Sequence, residues 1–317
     1  MTTMLVTGCA DTSLYDLRTP AESQAGRYVD AEDLNRLPAP KFAITSFGIE
    51  FDTRVTYPSA SCHGYQLPGG IYTIRHFRNE LTWDLSQAEM QALVDQAYIA
   101  LLSDLQTAGY EIVPHAAYHE TPAYRTLIDL VGTESPVPLR FKFGDPENMI
   151  EGEALILAPI GRQWYAPALG EIGPRIGDTL ASVGSEILYA RRGFTGGQAI
   201  LQAEVELARA LDATLLKVYY VISPVRSYVE TRFLEGALPV EGKTIVGGGQ
   251  TRFAFRTPNA PTAHVPFRKQ TPPRDGDAFV RLKKDIHLGT GRITIQHLRL
   301  YLDAAREMLM ARLKAGR

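Results

Sequence analysis

His115 and His119 stand four residues apart with Glu120 beside them, a spacing that on one helix would offer two imidazoles and a carboxylate to a single metal ion. Pro114 before them and the Thr121, Pro122 pair after them put the segment between a strand and a helix start. Turn histidines are therefore expected rather than a metal site. Cys62 and His63 adjoin within residues 54–70, a Pro-, Ser- and Gly-rich stretch that reads as a loop. A thiolate beside a base is the arrangement of a nucleophile, but neighbouring side chains in an extended loop point apart, and no Asn or Asp orienter accompanies the pair. Gly236, Gly242, Lys243 and Thr244 nearly form a phosphate-binding loop. Five residues separate the glycines where four are required, and residues 245–250 do not continue as a helix, so no helix N-terminus would face a phosphate. The patterns Gly-x-Ser-x-Gly and Gly-x-Gly-x-x-Gly do not occur. The expectation is a chain without a catalytic residue, a metal or a cofactor.

A different chemistry is written at the N-terminus. Leu5, Val6, Thr7, Gly8 and Cys9 match a bacterial lipobox: an aliphatic residue three before the cysteine, small residues between, and a cysteine whose sulfur is acylated. The basic and apolar stretches of an export signal do not stand among the eight residues before Cys9. Residues 10–40 are polar and interrupted by Pro20, Pro38 and Pro40, as a tether between a lipid anchor and a folded body should be. Cys9 is thus the expected lipidation site, and a periplasmic, membrane-anchored location follows; a cytosolic enzyme of unassigned reaction, with Cys9 and Cys62 as plain reduced thiols, is the alternative.

The chain has 317 residues, 45% of them hydrophobic, enough to bury a large core without staples. Its 33 basic and 35 acidic residues give a net charge of -2, which excludes a histone-like protein, and two cysteines exclude a disulfide scaffold. The charge is unevenly spread. Residues 251–317 hold 14 basic and 5 acidic residues, so the basic portion either attracts the acidic body internally or meets an anionic partner: lipid, lipopolysaccharide, a polysaccharide or an envelope protein. Arg256, Arg268, Lys269, Arg274, Lys283 and Lys284, in and around a proline-rich loop at residues 257–278, are the candidate contacts. No basic stripe with interleaved aromatics suits nucleic acid, and a homo-oligomer stays open.

The elements that must position these groups follow from periodicity. Residues 42–51 are dense in β-branched and aromatic residues and read as the first core strand; residues 71–83 read as a second. Ser86 and Glu89 form a capping box, after which Met90, Leu93, Val94, Ala97, Tyr98, Leu101, Leu102 and Leu105 keep helical spacing until Gly109. Strands are expected at residues 110–115, 154–160 and 213–222, with helices at 122–131, 176–190 and 198–211. Further strands are expected near 228–234, 244–256 and 279–284, and a final helix at 295–313. This is a mixed parallel and antiparallel α/β sheet flanked by helices: residues 41–317 as one domain, residues 1–40 as lipobox-like segment and tether.

A strand of the 42–51 type, a long helix ending in Ala-Gly-Tyr-Glu-Ile-Val, and an Ala-rich helix running through Leu-Asp-Ala-Thr-Leu-Leu-Lys-Val into a strand resemble bacterial envelope lipoproteins of the curli secretion channel type. They also resemble the N-terminal domain of the periplasmic Tol translocation protein. The resemblance covers residues 41–222 and rests on hydrophobic patterns. The sequence shows no pair of alternating amphipathic hairpins of the kind that builds a membrane barrel. The resemblance therefore implies a binding or assembly role at the periplasmic face of a membrane, without catalysis.

Overall fold

Tyr15, Ala21, Ala25, Tyr28 and Val29 are all buried, so the segment expected to be a tether belongs to the folded body from Tyr15 onward. The computed structural model describes residues 15–32, 34–37, 41–63, 73–82, 85–143, 150–165, 195–222, 243–246, 251–259, 277–282, 286–290 and 294–316. Helix α1 (Ala21–Tyr28) begins directly after Pro20, which suits the position before a first turn, and strand β1 (Val29–Glu32) follows it without a loop. Ala21, Ala25 and Tyr28 share one face of α1 at helical spacing, and the small alanines permit close approach to the core.

Strand β2 (Lys41–His63) is far longer than residues 42–51. It continues through the expected loop and pairs antiparallel with β3 (Thr73–Thr82), from Arg54 opposite Thr82 to His63 opposite Thr73. Helix α2 (Gln87–Thr107) opens on the expected capping box, with Ser86 accepting from the Glu89 amide and the Glu89 carboxylate accepting from the Ser86 amide. It closes at Gly109, whose φ of 81° is the left-handed conformation a side chain would disfavour. Strand β4 (Glu111–Ile112) is shorter than the expected 110–115, because a 3-10 turn at His115–Ala117 follows Pro114. Helix α3 (Pro122–Val131) starts where expected, its Thr121 hydroxyl accepting from the Tyr124 amide.

Strands β5 (Gly132–Thr133), β6 (Val137–Phe143), β7 (Ile150–Leu157) and β8 (Trp164–Tyr165) come next. Only β7 was legible, and it ends at Leu157 rather than at residue 160. Helix α4 (Thr195–Leu211) turns through Asp212, at φ 46°, into β9 (Thr214–Ile222), every residue of which is buried. The expected strand at 244–256 is two strands in different sheets, β10 (Lys243–Val246) and β11 (Arg252–Arg256). Strands β12 (Asp277–Leu282) and β13 (Ile286–Thr290) and helix α5 (Ile295–Ala315) complete the described chain. The helix expected at 176–190 and the strand expected at 228–234 lie outside the described residues.

The main sheet has the order β1, β12, β11, β9, β2, β7, β6, with β3 and β4 also joined to β2. Strand β2 runs parallel to β9 and β4 and antiparallel to β7, so the sheet is mixed and the fold is α/β. Strand β6 ends that order and carries Pro138, a residue an edge strand tolerates because its missing N–H faces no ladder. Phe42 and Ile44, then Phe47, Ile49 and Phe51, share one face of β2. The change from even to odd positions is a bulge: pairing with β9 shifts register between Ile44 and Ser46, and the extra residue, Thr45, restores the apolar phase. Leu216, Val218, Tyr220 and Ile222 of β9 extend this face, which α1, α2 and α5 cover. On the opposite face Ala43 and Leu215 lie under α3 and α4.

Candidate functional site

The face under α4 carries ionisable groups where an interior normally admits none. Glu204 of α4 is fully buried, and Lys217 of β9 and Arg256 of β11 are each 1% exposed. Lys217 Nζ donates to Glu204 Oε1 at 2.8 Å, and Arg256 Nε lies 2.6 Å from Glu204 Oε2. Strand register puts this together: Leu216 opposite Phe255 and Lys217 opposite Ala254 bring positions 217 and 256 onto neighbouring strands, and α4, folding back antiparallel over β9, lowers Glu204 between them. One carboxylate thereby serves two cations. Burying such charges is costly, and the pairing with Glu204 offsets part of that cost for both cations.

The polar row continues along β2 toward the C-terminal ends of the two parallel strands. Tyr219 donates its hydroxyl to the Glu50 carboxylate, Glu50 is 4% exposed, and Asp52 is wholly buried. In open α/β sheets the C-terminal ends of parallel strands are where ligands are received. Between Lys217 and Glu50 the strand face is sealed by Trp164, which lies on Gly48. A Cβ there would fall within 2.6 Å of Trp164 Cδ1, so glycine is what lets the indole lie against the sheet. Gly48→Ala is expected to lower stability by about 1 to 3 kcal/mol through overpacking, read as a lower urea midpoint with an unchanged slope. Wild-type stability in this variant would show that Trp164 is not held on the strand.

A second cluster forms where the Thr45 bulge frees a carbonyl. Ile44 C=O accepts from the Tyr118 hydroxyl at 2.6 Å and from Arg162 Nη1 at 3.0 Å, and the Arg162 guanidinium lies 4.5 Å over the Tyr98 ring. Gly161, at φ 77°, turns the loop so that Arg162 reaches inward. Burial drives the Tyr118 hydroxyl far above its ordinary pKa, so it remains a donor. His115 packs edge-on against Tyr118 and Tyr124, with ring centroids at 5.2 and 5.7 Å. Its pKa is depressed to about 4, first by burial, then by the charge of Arg162 and by His119. His119 contacts Glu120, at 3.2 Å. The two histidines occupy a turn, as their flanking prolines imply, and no group of three or more metal-ligating side chains occurs among the described residues.

The anticipated surface contacts fare differently. Arg256 is an interior residue paired with Glu204, so it does not face an external anion. Arg281 with Asp30 at 3.7 Å and Arg306 with Asp104 at 2.8 Å also join the basic C-terminal portion to the body, which is the internal attraction the charge asymmetry allowed. Cys9, Arg268, Lys269, Arg274, Lys283 and Lys284 lie outside the described residues. Cys62 and His63 belong to strand β2, opposite Ile74 and Thr73, instead of a loop. Lys243 and Thr244 begin strand β10, and residues 236–242 lie outside the described residues.

Sequence reading missed Glu204, Lys217, Glu50 and Asp52. The signal was present as charges at apolar positions: Lys217 inside an otherwise apolar strand, and Glu204 on the helix stripe with Ile200, Ala203, Leu207 and Ala208. No helix among the described residues is long and apolar enough to cross a membrane. No protein-family model, curated protein or solved structure matches the chain.

Proposed function

We propose that the chain is a binding or assembly protein of the bacterial cell envelope, anchored through acylated Cys9 and performing no chemistry of its own. The observation that carries this reading is the length of β2. Its pairing with β9 ends at Phe51 and with β7 at Thr56, yet it runs on to His63 beside β3. Among the described residues the outer part of this two-stranded ribbon pairs with nothing else. Unpaired strand edges are templates for strand addition by another chain, and proteins that do not use them ordinarily blunt them. An envelope protein or a second copy of this chain is the partner such an edge suits, and an anionic lipid surface suits the basic C-terminal portion.

The test is expression in a bacterial host from the native upstream sequence, with labelled palmitate, for the wild type, Cys9→Ser, and a variant with residues 57–79 replaced by a short turn. Palmitate incorporation and membrane fractionation that disappear in Cys9→Ser are expected, together with loss of crosslinked partners in the ribbon variant. A soluble, unlabelled wild type would overturn the anchor, and an unchanged crosslinking pattern in the ribbon variant would overturn the assembly role. A cytosolic enzyme is the competing reading, favoured by Glu50 and Tyr219 near the C-terminal ends of parallel strands. A cytosolic wild type whose bound small molecule is lost on Glu50→Gln would select it.

A further inference from the structure

We propose that His115, packed between His119 and Arg162, is an acid-sensitive latch, which holds the 3-10 turn and α3 against the second face of the sheet at neutral pH and releases them as His115 takes up a proton. Three groups able to carry positive charge converge there. The His115 and His119 rings are 5.3 Å apart and tilted by 35°, close to stacked. Arg162 reaches the same cluster from the loop after β7, fixed by the Ile44 carbonyl and the Tyr98 ring. Neither His115 Nε2 nor His119 Nδ1 has a hydrogen-bond partner among the described residues, although both atoms are shielded from water. A proton added to His115 Nε2 would lack an acceptor and would sit beside a permanent cation.

The remaining groups around the pair do not offset this. Tyr118 and Tyr124 present ring edges to His115, and the Tyr118 hydroxyl is already committed to Ile44. On α2, Tyr98 lies under Arg162, and Asp95 accepts from the Ile160 amide at 2.9 Å, pinning the loop that carries Arg162. Among the described residues the carboxylate in contact with this pair is Glu120, which touches His119 and is shared with Arg125. The charges acting on His115 are those of Arg162 and His119, so its position is where like charges oppose each other.

The sign follows from proton binding. The latched form holds His115 neutral down to about pH 4, whereas a released histidine titrates near its ordinary value of 6.5. Below the ordinary value the released form therefore binds more protons, and the latch weakens as pH falls through that window. The segment it holds buries Tyr118, Tyr124 and Leu127 over Ala43 and Leu215, so release uncovers an apolar surface while the face packed by α2 and α5 stays closed.

Hydrogen exchange of the full chain, corrected for the intrinsic pH dependence of exchange, tests the proposal. Between pH 7 and pH 5 the opening of residues 115–131 is expected to increase roughly tenfold, with α2 and β9 unchanged. In His115→Phe combined with His119→Gln, which keeps an aromatic ring at 115, that increase should vanish. An equal increase in the double variant, or uniform opening of the whole domain, overturns the latch. Should the double variant not fold, the histidine proton titration of the wild type by NMR decides: a His115 midpoint at or above 6.5 refutes the proposal, and a midpoint well below it that rises in Arg162→Gln supports it.

Discussion

Glu204→Ala is expected to lower the stability of the domain by about 3 to 5 kcal/mol, because it leaves Lys217 and Arg256 buried without the carboxylate that joins them. In a chain of this size that corresponds to a fall in Tm of roughly 10 °C. The result distinguishes a buried ion triad from a surface pair, which would contribute well under 1 kcal/mol. A triple variant, Glu204→Leu with Lys217→Met and Arg256→Met, should recover most of the loss, since apolar groups of similar volume need no compensating partner. A single variant that melts with the wild type would mean that water reaches the triad. A triple variant as unstable as the single one would mean that the charges specify packing that methionines cannot reproduce.

Val218→Asp is expected to abolish cooperative folding altogether. Val218 is the next residue along β9 from Lys217 and is equally buried, yet it points to the face packed by α2 and α5, in the main apolar cluster with Phe47, Leu101 and Tyr220. An unpaired carboxylate there costs several kcal/mol, comparable with the whole stability of a domain of about 5 to 15 kcal/mol. Leu101→Asp, in α2 on the same cluster, should behave alike. Adjacent positions of one strand thus differ completely in their tolerance of charge. Circular dichroism through a thermal ramp reads the outcome, and a sharp melt in either variant would contradict the assignment of that face.

What could be read from the sequence was local in cause. The capping box at Ser86 and Glu89, the helical stripe from Met90 to Leu105 and the left-handed Gly109 each depend on residues within a few positions of one another. The Thr121, Pro122 start of α3 and the apolar run of β9 belong to the same class. The phase change in β2, from Ile44 to Phe47, takes its meaning as a bulge from the partner strand. Segment 15–32 was misread because α1 and β1 are short and polar on their outer sides; their burial comes from α5 and β12, more than 240 residues later. Likewise β2 beyond Phe51 has loop-like composition and is a strand because β3 pairs with it.

The candidate site was the least legible part for the same reason. Sequence alone established a mixed α/β body, its longest helices and its central strand, because hydrophobic periodicity is a property of contiguous residues. It also established the uneven charge and the lipobox-like string at Cys9. Tertiary structure alone decided that Glu204 meets Lys217 thirteen positions on and Arg256 on a third element, that Arg162 closes on the carbonyl freed at Ile44, and that His115 has an arginine rather than a carboxylate for a neighbour. A charge is stabilised or penalised by whatever lies within a few ångströms of it, and in this chain those neighbours are brought in by strand register and helix crossover rather than by adjacency.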